Sequence, residues 1–184
     1  MNKVVVSIIG RDRPGIVNAV AQRLHELDCD IVEVSQTILE GAFAALFIAG
    51  LPERLSIEAL RDALTSHMAW QGLGCFIREH EAGTATAQPQ TDLFVVTLDG
   101  PDSKGLISGI TGVMSEWAVN IENLKAIKRH DSGNALIMFE ISIPPSVHNA
   151  DFKKALENKA EELGVRVSLQ HRDIFEAIHR VLPV

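Results

Sequence analysis

The chain alternates between two kinds of apolar spacing. Val4 to Ile9 is a β-branched run, compatible with a central buried strand. Gly10 breaks it. Ile16, Val17, Val20, Leu24 and Leu27 then recur at helical spacing, as one apolar stripe. Asp28-Cys29-Asp30 ends that helix. From Ile31 to Leu39, Val32, Val34 and Ile38 share one parity, and Glu33, Ser35 and Thr37 share the other, as in a strand. Glu40-Gly41 makes a turn, and Ala42 to Ala49 returns as the partner of a hairpin. Ile57, Leu60, Leu64 and Met68 space a second helix, with Ser56 placed to cap it. Leu73 to Ile77 closes the unit.

The same order then repeats. Slid by 90 positions, Val4 to Ile16 falls on Phe94 to Leu106, with Gly10/Gly100, Asp12/Asp102 and Gly15/Gly105 identical. The same offset pairs Ile31 with Ile121, Ala45-Leu46 with Ala135-Leu136, and Leu73-Gly74 with Leu163-Gly164. One offset is therefore expected to serve the whole length, with at most a small compensated gap. Leu93 to Leu98 reads as a strand, and Leu106, Ile107, Ile110 and Met114 as a helix. Ile121 to Lys128 and Ala135 to Ile143 form a hairpin over His130-Asp131-Ser132-Gly133. Phe152, Leu156 and Leu163 mark a helix, and Val165 to Leu169 the last strand.

A strand–helix–strand–strand–helix–strand order predicts an α+β fold: two ferredoxin-like βαββαβ modules in tandem, plus a C-terminal helix. The expected bounds are 1–80 for the first module and 91–170 for the second. Residues 81–90, polar and small, read as a linker. Residues 171–184 form a helical tail in which Ile174, Phe175, Ile178 and Val181 make an apolar stripe, to be buried on its own sheet or on a partner chain. Asp173, Glu176 and Arg180 make its solvated side. The strand at 42–49 is apolar on both parities, with Phe43, Ala45, Phe47 and Ala49 on one and Ala44, Leu46 and Ile48 on the other. That predicts association of modules face to face or edge to edge, within the chain or between chains. The plainer alternative is an ordinary buried middle strand.

Composition narrows the function. The 184 residues are 46% apolar and 22% charged, the profile of a soluble globular chain. No apolar run reaches the roughly 18–20 residues that cross a bilayer. The N-terminus does not read as a secretory signal, so a cytoplasmic location is expected. A net charge of −7, spread over both halves, disfavours direct nucleic-acid binding, and no helix-turn-helix pattern is present. An RNA-binding module of this sheet order would want aromatics and a basic face. Here there are 7 Phe, 2 Trp and no Tyr. The two Cys, Cys29 and Cys75, lack metal-ligand spacing and are expected to be reduced. The histidines are scattered, so no metal or other cofactor is expected. Asp28-Cys29-Asp30 has the look of a phosphatase aspartate pair, but a helix precedes it and Val32 stands where Thr or Ser is needed.

The informative segment is Gly10-Arg11-Asp12-Arg13-Pro14-Gly15-Ile16, between the first strand and the first helix. A helix start carries unpaired N–H groups and partial positive charge, and so attracts a carboxylate or phosphate. The glycines permit a tight turn and a close approach. Pro14 suits the first helical turn. Asp12 could answer an ammonium group, and an α-amino acid would match both. The bland alternative is that Asp12 merely caps the helix.

The D-R-P-G-I run after a β-branched strand, with Asp30-Ile31 past the helix, resembles the ACT domain. The second copy matches with Asp102-Ser103-Lys104-Gly105-Leu106 and Asn120-Ile121. The resemblance covers almost the whole chain. It implies a regulatory fold that binds amino acids through this loop, often between paired modules. The tandem arrangement is similar to the glycine cleavage system transcriptional repressor group. The tail resembles the end of small stand-alone ACT proteins and the segment that joins ACT domains to the catalytic part of some phosphoserine phosphatases. The implied ligand-binding residues are Arg11, Asp12, Arg13, Pro14, Gly15, Ile16, Asp30, Ile31, Asp102, Gly105, Leu106, Asn120 and Ile121. Lys104 departs from the usual proline and bears on ligand binding by the second copy; Asp30 departs from Asn and alters the charge beside the first site. The expected chain is a non-catalytic sensor of a small amino acid, of the glycine or serine class. It would act through a protein partner, as a homodimer, in transcriptional control of amino-acid metabolism. An assembly scaffold and an RNA-binding module are the alternatives.

Overall fold

A computed structural model describes residues 2–80, 92–129 and 133–179. The expected linker, the tip of the second hairpin at 130–132 and the last five residues lie outside that range. The chain divides into two compact units, one on each side of the 81–91 segment.

In the first unit, β1 (Asn2–Arg11), β2 (Asp30–Leu39), β3 (Ala42–Leu51) and β4 (Gly74–Glu79) form an antiparallel sheet in the order β2-β3-β1-β4. Helices α1 (Ile16–Glu26) and α2 (Ile57–Trp70) supply the other layer. Period-2 residues Val4, Val6 and Ile8 of β1, and Phe43, Ala45, Phe47 and Ala49 of β3, are buried. They pack with Ile16, Val20 and Leu24 of α1 and with Leu60, Leu64 and Met68 of α2. Each large side chain so removed from water contributes about 1.5–3 kcal/mol. Ser56 caps α2, its Oγ accepting from the Ala59 N–H at 3.1 Å. Asp28, just past α1, takes φ 61, which ends that helix.

The second unit repeats this plan with β5 (Asp92–Pro101), α3 (Leu106–Glu116), β6 (Asn120–Arg129), β7 (Asn134–Ile143), α4 (Asn149–Glu162) and β8 (Arg166–His171), in the sheet order β6-β7-β5-β8. A fifth helix, α5 (Arg172–His179), follows and packs on β5 and β8 of its own unit. Of the expected tail stripe, Phe175 is half-buried and Ile174 is 57% exposed; the side chains of Ile178 and Val181 lie outside the described residues.

The single offset of 90 does not hold. Gly10 faces Phe43 in the first sheet, whereas Gly100 faces Ala135 in the second. From the hairpin onward the shift is 92: Phe47 matches Phe139, α2 matches α4, and β4 matches β8. The second hairpin turn is two residues longer and nothing compensates it. Ala45 therefore corresponds to Ile137, not Ala135, and Leu73 to Val165, not Leu163.

β3 is a middle strand with one covered face. Its second parity stays open, with Leu46 51% exposed. Ile9 and Phe76 lie exposed on the same side of the sheet.

Candidate functional site

Both helix starts are built alike. Gly15 is the N-cap of α1 at φ 93, and Gly105 the N-cap of α3 at φ 91. Both occupy the left-handed region, where a Cβ is strained. No side chain caps either helix. The first intrahelical bonds are Ala19 N–H to Gly15 O at 2.9 Å and Gly109 N–H to Gly105 O at 2.8 Å. The N–H groups of residues 16–18 and 106–108 precede them and lie at the positive end of the helix dipole. Each loop is tied to the hairpin beside it. Asp12 N–H donates to Gly41 O at 2.8 Å, and Asp102 N–H to Gly133 O at 2.9 Å.

Three local readings need correction. Pro14 stands before the N-cap, not in the first helical turn, because Gly15 takes the capping place. Asp12 is not the cap for the same reason. Gly10 makes room for the chain itself: a Cβ there would lie 2.6 Å from Leu73 Cδ2. Lys104, for its part, leaves the loop conformation intact, since Gly105 keeps the φ of Gly15.

The structure gathers some of the expected residues and separates others. Asp12, Arg13, Gly15 and Ile16 line a pocket of ≈ 290 Å³, with Val17, Asn18, Gln36 and Phe43. Asp102, Gly105 and Leu106 line its counterpart of ≈ 560 Å³, with Ser108, Thr111, Ala126, Ala135 and Ile137. Arg13 is anchored, its Nη2 donating to the backbone O and to Oε1 of Gln71, both at 3.0 Å. Arg11 ends β1 opposite Ala42 with the parity of Ser7 and Ile9, on the face away from the helices.

Asp30 and Ile31 begin β2, opposite Gly50 and Ala49, whereas the loop lies at the Leu39 end. At about 3.3 Å per residue the length of this strand separates them by roughly 30 Å. Asn120 and Ile121 stand likewise at the start of β6. The Asn120 amide is engaged there: its Nδ2 donates to Glu122 Oε1 at 2.8 Å, which also accepts from Ser142 Oγ at 2.6 Å. The Ser142 hydroxyl, then the Asn120 amide, hold the Glu122 carboxyl below its usual range. The spacing pattern does not single out Glu122 and Ser142, because they meet only across the hairpin at a bulge in β6.

Both thiols are free, Cys29 buried and Cys75 half-buried. Burial pushes both up in pKa, so both stay protonated near neutrality. Asp28 pairs with Arg54 at 2.9 Å in the turn after α1, not at the end of a buried strand. Among the described residues no cluster of three or more His, Cys, Asp or Glu could hold a metal ion. No described helix is long and apolar enough to cross a membrane.

Comparison with known proteins agrees with this architecture. The ACT domain family model matches residues 2–77 and again 92–170. A UPF0237 protein of Methanopyrus kandleri is 34% identical over 87 residues, covering 47% of this chain and 96% of that protein. One from Methanocaldococcus jannaschii is 37% identical over the same shares. Among solved structures, an unknown protein from Galdieria sulphuraria superposes with TM-score 0.74 at 24% identity, covering 92% of this chain and 98% of that one. A protein provisionally identified as a glycine cleavage system transcriptional repressor superposes with TM-score 0.70 at 20% identity, covering 92% and 96%. At that identity the two structures share the fold. With its model matched twice, and most of the described residues inside those matches, the chain belongs to the ACT domain family, whose members are regulatory, amino-acid-sensing folds.

Proposed function

We propose that the chain is a non-catalytic regulator that binds a small amino acid, of the glycine or serine class, at its strand–helix loops and signals to a protein partner. The observation that carries this reading is the twinned loop. In each module a glycine at φ near 90 leaves a helix start without a side-chain cap, next to an aspartate and a pocket. The α-carboxylate would accept from the helix N–H groups and the ammonium would face Asp12 or Asp102.

The fold also suggests how Asp30, Ile31, Asn120 and Ile121 could take part. β2 and β6 are edge strands. If such an edge pairs antiparallel with that of another module, the start of one strand comes beside the loop end of the other. Pairing of this kind would complete the site and supports a homodimer. A ligand that prefers the paired arrangement would shift the chain toward it, and a partner that reads that arrangement would sense the ligand. The provisional role of the repressor-like structural neighbour supports transcriptional control of amino-acid metabolism through such a partner.

Calorimetric titration of the whole chain with the standard amino acids tests the reading. Saturable binding of glycine or serine, weakened at least tenfold by Gly15→Val with Gly105→Val, is expected. Absence of binding at millimolar concentration overturns it. A ligand-free scaffold is the second reading, favoured by the exposed apolar face of Ile9, Leu46 and Phe76. That reading predicts a function untouched by the two glycine changes.

A further inference from the structure

We infer that the two modules take different amino acids: the second receives one with an apolar side chain of about leucine size, the first a small one. This rests on the amino-acid-binding reading above and goes beyond it by dividing the ligand classes. The register fixes which residues correspond. Gln36 faces Ala45 in the first sheet, where Ala126 faces Ile137 in the second. Phe43 faces Gly10, where Ala135 faces Gly100. The wall of the pocket thus has Gln36 and Phe43 in one module and Ala126 and Ala135 in the other, where Ile137 also enters it in place of Ala45. Two large side chains are replaced by two methyl groups, and the space beside the loop rises from ≈ 290 to ≈ 560 Å³.

The chemistry of the walls changes with the size. Arg13, Asn18 and Gln36 give the first pocket three long or amide side chains that must keep polar partners. Arg13 is moreover held in place by Gln71. At the matching positions the second pocket has Ser103, Ser108 and Ala126. Two of its rim hydroxyls donate within the helix: Ser108 Oγ to Gly105 O at 3.1 Å and Thr111 Oγ1 to Ile107 O at 2.9 Å. With Leu106, Ile107, Ile127 and Ile137 around them, they leave an apolar stretch of wall from which an alkyl group displaces water without breaking either of those bonds. Lys104 does not oppose this, because the Gly105 turn is undisturbed.

The test uses the whole chain, calorimetry, and L-leucine and glycine as probes. Ala126 is exposed, so Ala126→Gln restores the amide of the first module without burdening the core; Ala135→Phe restores the aromatic wall. Leucine affinity is expected to fall at least tenfold in either variant, with the far-ultraviolet circular dichroism unchanged. Leucine binding unmoved by both changes overturns the inference. Glycine binding without leucine binding overturns this inference alone. Failure of both ligands to bind overturns the amino-acid reading as well.

Discussion

Where the first sheet carries Ile9, Leu46 and Phe76 on its helix-free face, the second carries Asp99, Met138 and Ser168 at the corresponding positions. The three apolar residues are 62%, 51% and 66% exposed. On the second sheet Asp99 is instead paired with Arg166, and α5 packs against β5 and β8. Val95, which shares that face, is buried, while its counterpart Val5 is half-buried. The inner faces tell the opposite story. Phe47 and Phe139 fill matching places in the two cores, and Gly15 and Gly105 turn matching loops. Packing and backbone strain hold the interior of both modules to one solution. The outer surfaces, free of that constraint, differ in what they offer a ligand or a neighbour.

The largest effect that would sharpen the comparison is a cavity in one core. Phe139→Ala is expected to cost the second module about 3–5 kcal/mol, and Phe47→Ala to cost the first as much. With two separate cores, scanning calorimetry should show the transition of the altered module move alone. A single transition shifted equally by both changes would break the picture of independent modules.

A smaller contrast lies at the matched glycines. A Cβ at Gly100 would meet Val165 Cγ1 at 2.9 Å and Val165 Cα at 3.1 Å, and the backbone atom cannot swing aside. At Gly10 the nearest atom is the flexible end of Leu73. Gly100→Ala should therefore cost about 1–3 kcal/mol, and Gly10→Ala less. Urea midpoints of the two variants decide it; equal shifts would deny the difference.

The smallest effect concerns acid. Glu122 has its carboxyl depressed in the folded second module, and the first module has Val32 at that place. A depressed carboxyl contributes stability above its ordinary pKa of about 4.5, lost as pH falls through the lower folded value. Because Glu122 is exposed, the contribution is well under about 1 kcal/mol. Glu122→Gln should flatten the acid limb of the second module's stability curve and leave the first module's unchanged.

Much of this was legible in residue spacing. The period-2 run of β1, the stripe Ile16-Val20-Leu24 and the Glu40-Gly41 turn fix the module, because burial acts on pattern. The glycine at each helix start was legible too, since a left-handed N-cap excludes most other residues. The true register was not. Ala45-Leu46 and Ala135-Leu136 look alike, and two extra residues in an exposed turn cost little and leave no periodic signal. The pocket walls followed the same error, for Phe43 finds its counterpart Ala135 only once the hairpin is paired. Nor could spacing show that Asp30 and the Gly15 loop, both ligand candidates, stand at opposite ends of one strand.

Among the described residues, the greasy flat patch of Ile9, Leu46 and Phe76 has no counterpart at the matching positions of the second sheet, where Asp99, Met138 and Ser168 stand. Two such surfaces per molecule would allow filaments to grow without limit. One self-complementary surface closes after two copies. A single patch of this kind in each chain would hold any assembly formed through it to a pair of copies.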